Sequence, residues 1–272
     1  MEIHGNLVGA LRNDTIYRLQ LLILMDKLWE QSYYQLEENY WWCVARREVI
    51  LSLISKFKLS KNAHILDIGC STGCFIQELI KKGFKNVYGV DISEQSIAQC
   101  RKKGLKNIEN MDAAGMRFNN NTFDLIISSD SLEHLKNDQK ALRDWNRMLR
   151  PNGILIAFVP AYKFLWCIHD ISNHHFRRYS KWELYNKLLR ANYSIVRCSY
   201  WNSILFAPIG MLILLSKLIA RKSVHSNKIF FIPGWLNNLL IQVMRFENKF
   251  IETNDIPIGI SMFFIARKNV MA

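Results

Sequence analysis

Two groups of residues in this chain have the types and spacing to carry chemistry. The first is the string His64-Ile65-Leu66-Asp67-Ile68-Gly69-Cys70-Ser71-Thr72-Gly73-Cys74-Phe75, where an apolar run passes through a glycine-containing turn into a helical pattern. Glycines at such a turn let the backbone come close to a ligand, and the helix that follows offers unbonded N–H groups. Val87-Tyr88-Gly89-Val90-Asp91 then ends a second apolar run in a carboxylate, about 20 residues on, where a doubly wound sheet presents an acid to a ribose diol. Strand, glycine turn, helix, strand and acid together make a nucleoside-binding unit. The second group is polar and rich in histidine: His169, then His174-His175, Arg177-Arg178 and Tyr179. Neutral imidazole near pH 7 can take a proton from a hydroxyl, and a guanidinium grips a carboxylate or phosphate through paired hydrogen bonds. Adjacent His-His and Arg-Arg pairs cannot all face one way, so one of each is structural or solvated.

The elements that must hold these residues follow from the apolar rhythm. From His64 to Val159, short apolar runs alternate with helical segments: His64 to Ile68, Val87 to Val90, Asn107 to Glu109, Phe123 to Ser129 and Gly153 to Val159 against Phe75 to Lys82, Gln95 to Lys103 and Gln139 to Leu149. That alternation predicts parallel strands joined by crossover helices. Phe123-Asp124-Leu125-Ile126-Ile127 and Ile154-Leu155-Ile156-Ala157-Phe158-Val159 are apolar on both pleat faces, as strands covered on both sides should be. Before this core, Ile16 to Glu38 carries helical spacing and Tyr40-Trp41-Trp42-Cys43-Val44-Ala45-Arg46-Arg47 leads into another helix. After Pro160 come a polar loop from Ala161 to Tyr179, a helix from Lys181 to Arg190, a strand from Ser194 to Tyr200 and a last strand from Ile258 to Ala266. The expected division is an N-terminal helical cap over 1–60, a ligand-binding core over 61–201, an apolar helical insertion over 202–256, and a final strand and tail over 257–272.

Composition narrows the function classes. With 272 residues, half of them hydrophobic and 22% charged, the chain can bury a large core and is neither disordered nor collagenous. Its 36 Lys+Arg against 23 Asp+Glu leave +13, which suits nucleic acid, an anionic membrane surface or an acidic substrate. Six scattered cysteines without paired CxxC clusters favour a reducing cytoplasm, and the first residues lack a secretory pattern. Asn202 to Ala220 is strongly apolar but interrupted by Pro208, Gly210, Ser216 and Lys217, whereas a membrane span needs about 20 mainly apolar residues. It reads as a buried or membrane-surface helix.

At the glycine turn and the residues after it, the sequence resembles the class I S-adenosylmethionine-dependent methyltransferases. Leu66-Asp67-Ile68-Gly69-Cys70-Ser71-Thr72-Gly73 looks like their first motif, Asp-x-Gly-x-Gly-x-Gly, with Ser71 in place of the middle glycine. The likeness continues in order through Asp91, Met111-Asp112-Ala113, Phe123-Asp124-Leu125-Ile126, Asp130-Ser131-Leu132-Glu133-His134 and Leu149-Arg150-Pro151-Asn152-Gly153, and covers Glu38 to Arg267. It implies a Rossmann-like, doubly wound α/β fold whose mainly parallel seven-stranded sheet ends in an antiparallel hairpin strand. It also implies S-adenosylmethionine as donor and S-adenosylhomocysteine as product. Asp67, Gly69, Ser71 and Gly73 would lie by the methionine part, Asp91 by the ribose, Ile92, Met111, Asp112 and Ala113 by the adenine, and Ser129 or Asp130 near the sulfonium. Trp41, Trp42 and Arg46 would form a lid across the donor, Trp42 as apolar cover and Arg46 pairing with a carboxylate, although tandem aromatics are also common core anchors.

For the acceptor side, the resemblance implies His169 as preferred base, with His134 a further candidate, and His174, His175, Arg177, Arg178, Tyr179 and Trp166 as acceptor contacts. Asp130-x-x-Glu133-His134 resembles the Glu-x-x-Glu-His of ubiquinone-pathway O-methyltransferases, in which a divalent cation assists; a hydrogen-bond network at a helix start is the alternative. No metal ligands are assigned, because no cysteine or helical His-x-x-x-His arrangement completes a zinc site. The expected reaction is methyl transfer to a hydroxyl or carboxyl oxygen of a small hydrophobic natural-product, lipid or glycan-type acceptor. The insertion would build the acceptor pocket, touch a membrane surface or form a dimer interface, so monomer and homodimer both stay open. The rival readings are an RNA or protein methyltransferase, which the +13 charge suggests but no Asn/Asp-Pro-Pro-Tyr motif supports, and a non-catalytic interaction module.

Overall fold

The computed structural model describes residues 34, 36–219 and 232–269. The expected helices before residue 34 lie outside them, as does part of the insertion. In chain order the elements are α1 (Trp41–Ser55), β1 (His64–Ile68), α2 (Cys74–Lys81), β2 (Asn86–Asp91), α3 (Glu94–Lys102), β3 (Ile108–Asn110), β4 (Phe123–Ser129), α4 (Asp138–Met148) and β5 (Leu149–Pro160). They continue with α5 (Ile168–Ser172), α6 (Lys181–Arg190), β6 (Tyr193–Trp201), α7 (Phe206–Ile219), α8 (Gly234–Ile251) and β7 (Ser261–Lys268).

The strands form one seven-stranded sheet in the order β3-β2-β1-β4-β5-β7-β6. The first five are parallel, and β7 runs antiparallel between β5 and β6. This is the doubly wound, mainly parallel sheet expected, and its strand order reverses between β1 and β4. In sheets of this kind the carboxyl ends of the strands beside such a reversal are the usual ligand position. Ile65, Leu66, Leu125, Ile126, Ile127, Leu155 and Ile156 are fully buried because helices cover both faces. Ser93, Asn137 and Ser180 cap α3, α4 and α6, each accepting a bond from a first-turn N–H.

Several boundaries differ from expectation. β5 starts at Leu149 instead of Gly153, because Leu149 pairs with Phe123 before a register shift and Asn152 takes a positive φ of 63°. β7 begins at Ser261, three residues later than the apolar run. The polar segment after β5 contains a 3-10 turn (Lys163–Leu165) and α5 instead of being loop throughout, since Asp170 accepts the Cys167 N–H at 2.8 Å and closes a helical turn.

Candidate functional site

The glycine turn sits between the tips of β1 and β2. Gly69 and Cys70 both donate to the Val90 carbonyl, at 2.8 and 3.0 Å, which ties the turn to the second strand. Gly69 has φ +74°, and a Cβ there would lie 2.3 Å from Ser131 Oγ, so this position requires glycine. Ser71, where the motif has its middle glycine, also has a positive φ, 47°. It is held there from both sides: its N–H donates to Asp91 Oδ2 at 2.9 Å and its hydroxyl to Glu37 Oε2 at 2.9 Å. Asp91 Oδ1 accepts the Ser93 N–H at 2.9 Å, so one carboxylate braces both the turn and the start of α3.

Glu37 was not foreseen from sequence. Its carboxylate accepts from Thr72 N at 3.2 Å and Thr72 Oγ1 at 2.7 Å, at the start of α2, where helix dipole and free N–H groups favour an anion. Asp67 is buried beneath. Burial, then the charges of Glu37 and Asp91, push its carboxyl up to about 8. Three carboxylates thus converge on the turn, a setting that favours a cationic guest.

Ile92 and the Met111-Asp112-Ala113 run follow the ends of β2 and β3, which are neighbours through the Asp91↔Asn110 pairing. Ile92 is 73% exposed, Met111 is buried, and Asp112 Oδ1 accepts the Ala114 N–H at 2.8 Å. The structure therefore brings Asp67, Gly69, Ser71, Gly73, Asp91, Ile92 and the run over 111–113 to one rim of the sheet.

Trp42 and Arg46 project from α1. Arg46 is buried, with its guanidinium over Phe158 at 4.3 Å, Trp201 at 4.2 Å and Trp42 at 5.0 Å. Its NH1 reaches Asp130 Oδ2 at 2.7 Å and Ser129 Oγ at 3.4 Å, and its NH2 reaches Ser261 Oγ at 3.3 Å. The carboxylate that Arg46 meets is therefore the protein's own, and the arginine bolts α1 across the ends of β4 and β7. Cation–π attraction in such a dry aromatic box is worth up to about 2 kcal/mol.

The histidines gather beyond β4 and β5. His175 Nδ1 lies 3.0 Å from Asp170 Oδ1, which also accepts Arg178 Nε at 2.8 Å. Against burial, which would raise it, these two bonds hold Asp170 well below the usual carboxylate range. An ionised Asp170 selects the Nδ1–H tautomer of His175 and turns the Nε2 lone pair toward Glu133, 4.0 Å away. Glu133 is fully buried, and neither carboxylate oxygen has a hydrogen-bond partner. Burial and the neighbouring Asp130 raise it well above the ordinary value. His134 packs edge-on against His175 at 4.6 Å, and burial followed by His175 lowers it to about 4. One ligand atom each from Glu133, His134 and His175 lies within 4.8 Å of the others, a donor set able to hold a divalent cation. Sequence spacing could not show this set, because His175 comes from a different segment.

Of the other acceptor-side residues, His169 is exposed on α5, with Nε2 2.9 Å from Asn173 Nδ2 and its ring 6.3 Å from His175. His174 is exposed, and Trp166 is half-buried at the end of the 3-10 turn. Arg178 and Tyr179 are buried: Arg178 is bound to Asp170 and the Ala161 carbonyl, and the Tyr179 hydroxyl to Asp138 at 2.8 Å. Arg177 is taken by Asp138 and the Lys136 carbonyl, each at 2.8 Å. These three were expected to meet an acceptor; their polar atoms instead brace the segment that presents His169 and His175.

Residues 66–157 match the methyltransferase domain family. An uncharacterized protein of Methanocaldococcus jannaschii is 32% identical over 154 residues, 56% of this chain and 57% of that protein. The ubiquinone biosynthesis O-methyltransferase of Coxiella burnetii is 28% identical over 128 residues, 42% of this chain and 54% of that protein. The chain thus spans little more than half the length of these curated relatives. In fold it is similar to an S-adenosylmethionine-dependent methyltransferase from Archaeoglobus fulgidus, with TM-score 0.53 and 18% identity over 87% of this chain and 99% of that one.

Proposed function

We propose that this chain is a class I S-adenosylmethionine-dependent methyltransferase, as its methyltransferase-domain match supports, and that it transfers a methyl group to an oxygen of a small, largely apolar acceptor. The observation that carries the reading is the coupling of the Gly69–Gly73 turn to Asp91 through the Ser71 N–H, over a floor of converging carboxylates. The donor supplies an electrophilic methyl on a sulfonium: the S–C bond breaks, the C–O bond forms, and the sulfur leaves as a neutral thioether. Asp91 is placed for the ribose and Ile92 for an adenine face, while Asp67 and Glu37 offer negative charge to the cationic amino-acid end. Trp42 closes the α1 side against water. His169, with His134 behind it, stands on the acceptor side to take the hydroxyl proton.

The unpartnered Glu133 carboxylate favours one addition. Glu133, His134 and His175 fit a divalent cation, which would lower the pKa of an acceptor hydroxyl as a Lewis acid. All six cysteines are free, and we place the enzyme in the cytoplasm on that ground.

Calorimetry with S-adenosylmethionine tests the core of this reading: absence of heat from the folded protein would overturn it. The pH dependence of binding follows from Asp67. Unliganded, the group stays protonated up to about 8, far above its unfolded value near 3.8, so its ionisation opposes folding as pH rises through that window. A bound cation favours the ionised form, so donor binding should release a proton below about pH 8. Affinity should therefore strengthen between pH 6 and 8, by at most about tenfold per unit, and level off above. Asp67→Asn should flatten the profile; a wild-type affinity independent of pH would remove Asp67 from the donor site.

His169→Ala should lower turnover by about a hundredfold or more, with donor affinity unchanged. Full activity would refute the base assignment. Repeating the assay on chelated protein decides whether Glu133, His134 and His175 need a cation to work.

A further inference from the structure

α8 is clamped along one side. Asn248 Nδ2 donates to the Ala45 carbonyl at 2.9 Å, Trp201 Nε1 donates to Asn248 Oδ1 at 2.8 Å, and Asn237 Oδ1 accepts the Trp41 N–H at 2.9 Å. Glu247 accepts the N–H groups of Asn202, Ser203 and Ile204, which fixes the approach to α7. The opposite side of this well-anchored helix carries Trp235 (70% exposed), Leu239, Phe246 (72% exposed) and Phe250, at spacings that keep them on one helical face. α7 adds Met211, Leu212 and Leu215, exposed on a second stripe, and its neighbour the Lys163–Leu165 turn adds exposed Phe164. Single exposed apolar residues need no explanation, but two helices that each expose a stripe of large aromatic or aliphatic side chains mark a docking surface.

Charge identifies the occupant. No Asp or Glu occurs between Glu183 and Glu247; Lys187, Arg197 and Arg245 are paired with Asp138, Asp255 and Glu48, and Arg190, Lys217, Arg221, Lys222 and Lys228 add further positive charge to this stretch of sequence. A second copy of a +13 chain would set basic stretch against basic stretch, and nucleic acid, which stacks its bases on aromatic rings, would leave the aliphatic stripe of α7 uncovered. An apolar helical face flanked by lysine and arginine, with tryptophan near its start, is the composition that lies in the headgroup region of an anionic bilayer. Among the described residues no helix is long and apolar enough to cross a membrane, so the contact is peripheral.

We infer that α7 and α8 seat this protein on an anionic lipid surface, and that the acceptor is a lipid-soluble molecule drawn from that surface. β6, which feeds α7, runs parallel to β5 through their shared antiparallel partner β7, so α7 begins at the same sheet rim as Arg46, Glu133 and His175. An acceptor entering past α7 reaches that rim without leaving the apolar surface. The identity of the acceptor rests on the methyltransferase reading; the docking does not.

Sedimentation of the full chain with vesicles of phosphatidylcholine alone, and with vesicles of equal phosphatidylcholine and phosphatidylglycerol, tests the docking. Wild type should pellet with the anionic vesicles and be released by high salt. Trp235→Glu combined with Phe246→Glu should weaken the partition by about a hundredfold, with unfolding midpoint and donor-binding heat unchanged. Met211→Glu with Leu212→Glu gives an independent arm, with the same loss expected. The inference is overturned if wild type stays in solution, if it pellets equally with phosphatidylcholine alone, if both double variants bind as wild type does, or if the variants instead dissolve a homodimer. Vesicle binding without donor heat would sink the methyltransferase reading while leaving the docking intact.

Discussion

Asp91→Ala should weaken S-adenosylmethionine binding by about a hundredfold or more. A carboxylate accepting from ribose hydroxyls makes charged hydrogen bonds of about 1.5–3 kcal/mol each, so losing two of them exceeds the energy of a hundredfold change. The loss has a second origin. Asp91 receives the Ser71 and Ser93 N–H groups, both at 2.9 Å, so removing it also frees Ser71 from its positive φ and loosens the turn that receives the donor. Asp91→Asn separates the two effects, since its amide oxygen can still accept one N–H while the charge is gone. Calorimetric titration beside thermal unfolding provides the check. Donor affinity within about threefold of wild type in a folded Asp91→Ala protein would remove this residue from the donor site.

Asp170→Ala should destabilise the fold by about 3–5 kcal/mol, the usual cost of stripping one partner from a buried ion pair. Arg178 and Asp170 are both buried and 2.8 Å apart, and the same carboxylate holds His175 at 3.0 Å and the Cys167 N–H at 2.8 Å. Without it a guanidinium is left inside with only the Ala161 carbonyl among its hydrogen bonds, and His175 loses the group that sets its tautomer. The sign with pH is fixed by the depressed folded pKa. Asp170 stabilises the fold above its unfolded value near 3.9, and that contribution disappears as the pH falls toward its lower folded value. Urea unfolding at pH 7 and pH 3 should therefore show a large gap between wild type and variant at the first and a smaller one at the second. A cost under about 1 kcal/mol at pH 7 would mean that the brace behind α5 is not what holds the segment in place.

The glycine turn and the acid that follows it were legible before any coordinates because they are local. Asp67, Gly69, Ser71, Gly73 and Asp91 lie within one strand-turn-helix-strand passage, where chain connectivity alone brings them together and a glycine marks a φ that other residues resist. Even there Glu37 escaped notice: a glutamate in a helical pattern gives no sign that it will accept from Thr72 across 35 positions of sequence. In the polar segment after β5 the residue types were legible and their partners within the protein were not. Arg177, Arg178 and Tyr179 were read as reaching for a ligand, but burial makes an unpaired guanidinium or phenol costly, and Asp138 and Asp170 claimed them.

What the chain's own letters determined was the class of sheet, the glycine turn between its first two strands and the basic, acid-free stretch around the apolar helices, since periodicity, glycine placement and charge are properties of contiguous residues. What only the folded molecule decided was which distant side chains share a space. Arg46 finds Asp130 across 84 positions and is boxed by Phe158 and Trp201, and Glu133 meets His175 from a different segment. The reason is physical: packing selects partners by proximity and by the cost of leaving a buried charge unsatisfied, and neither is written in spacing along the chain.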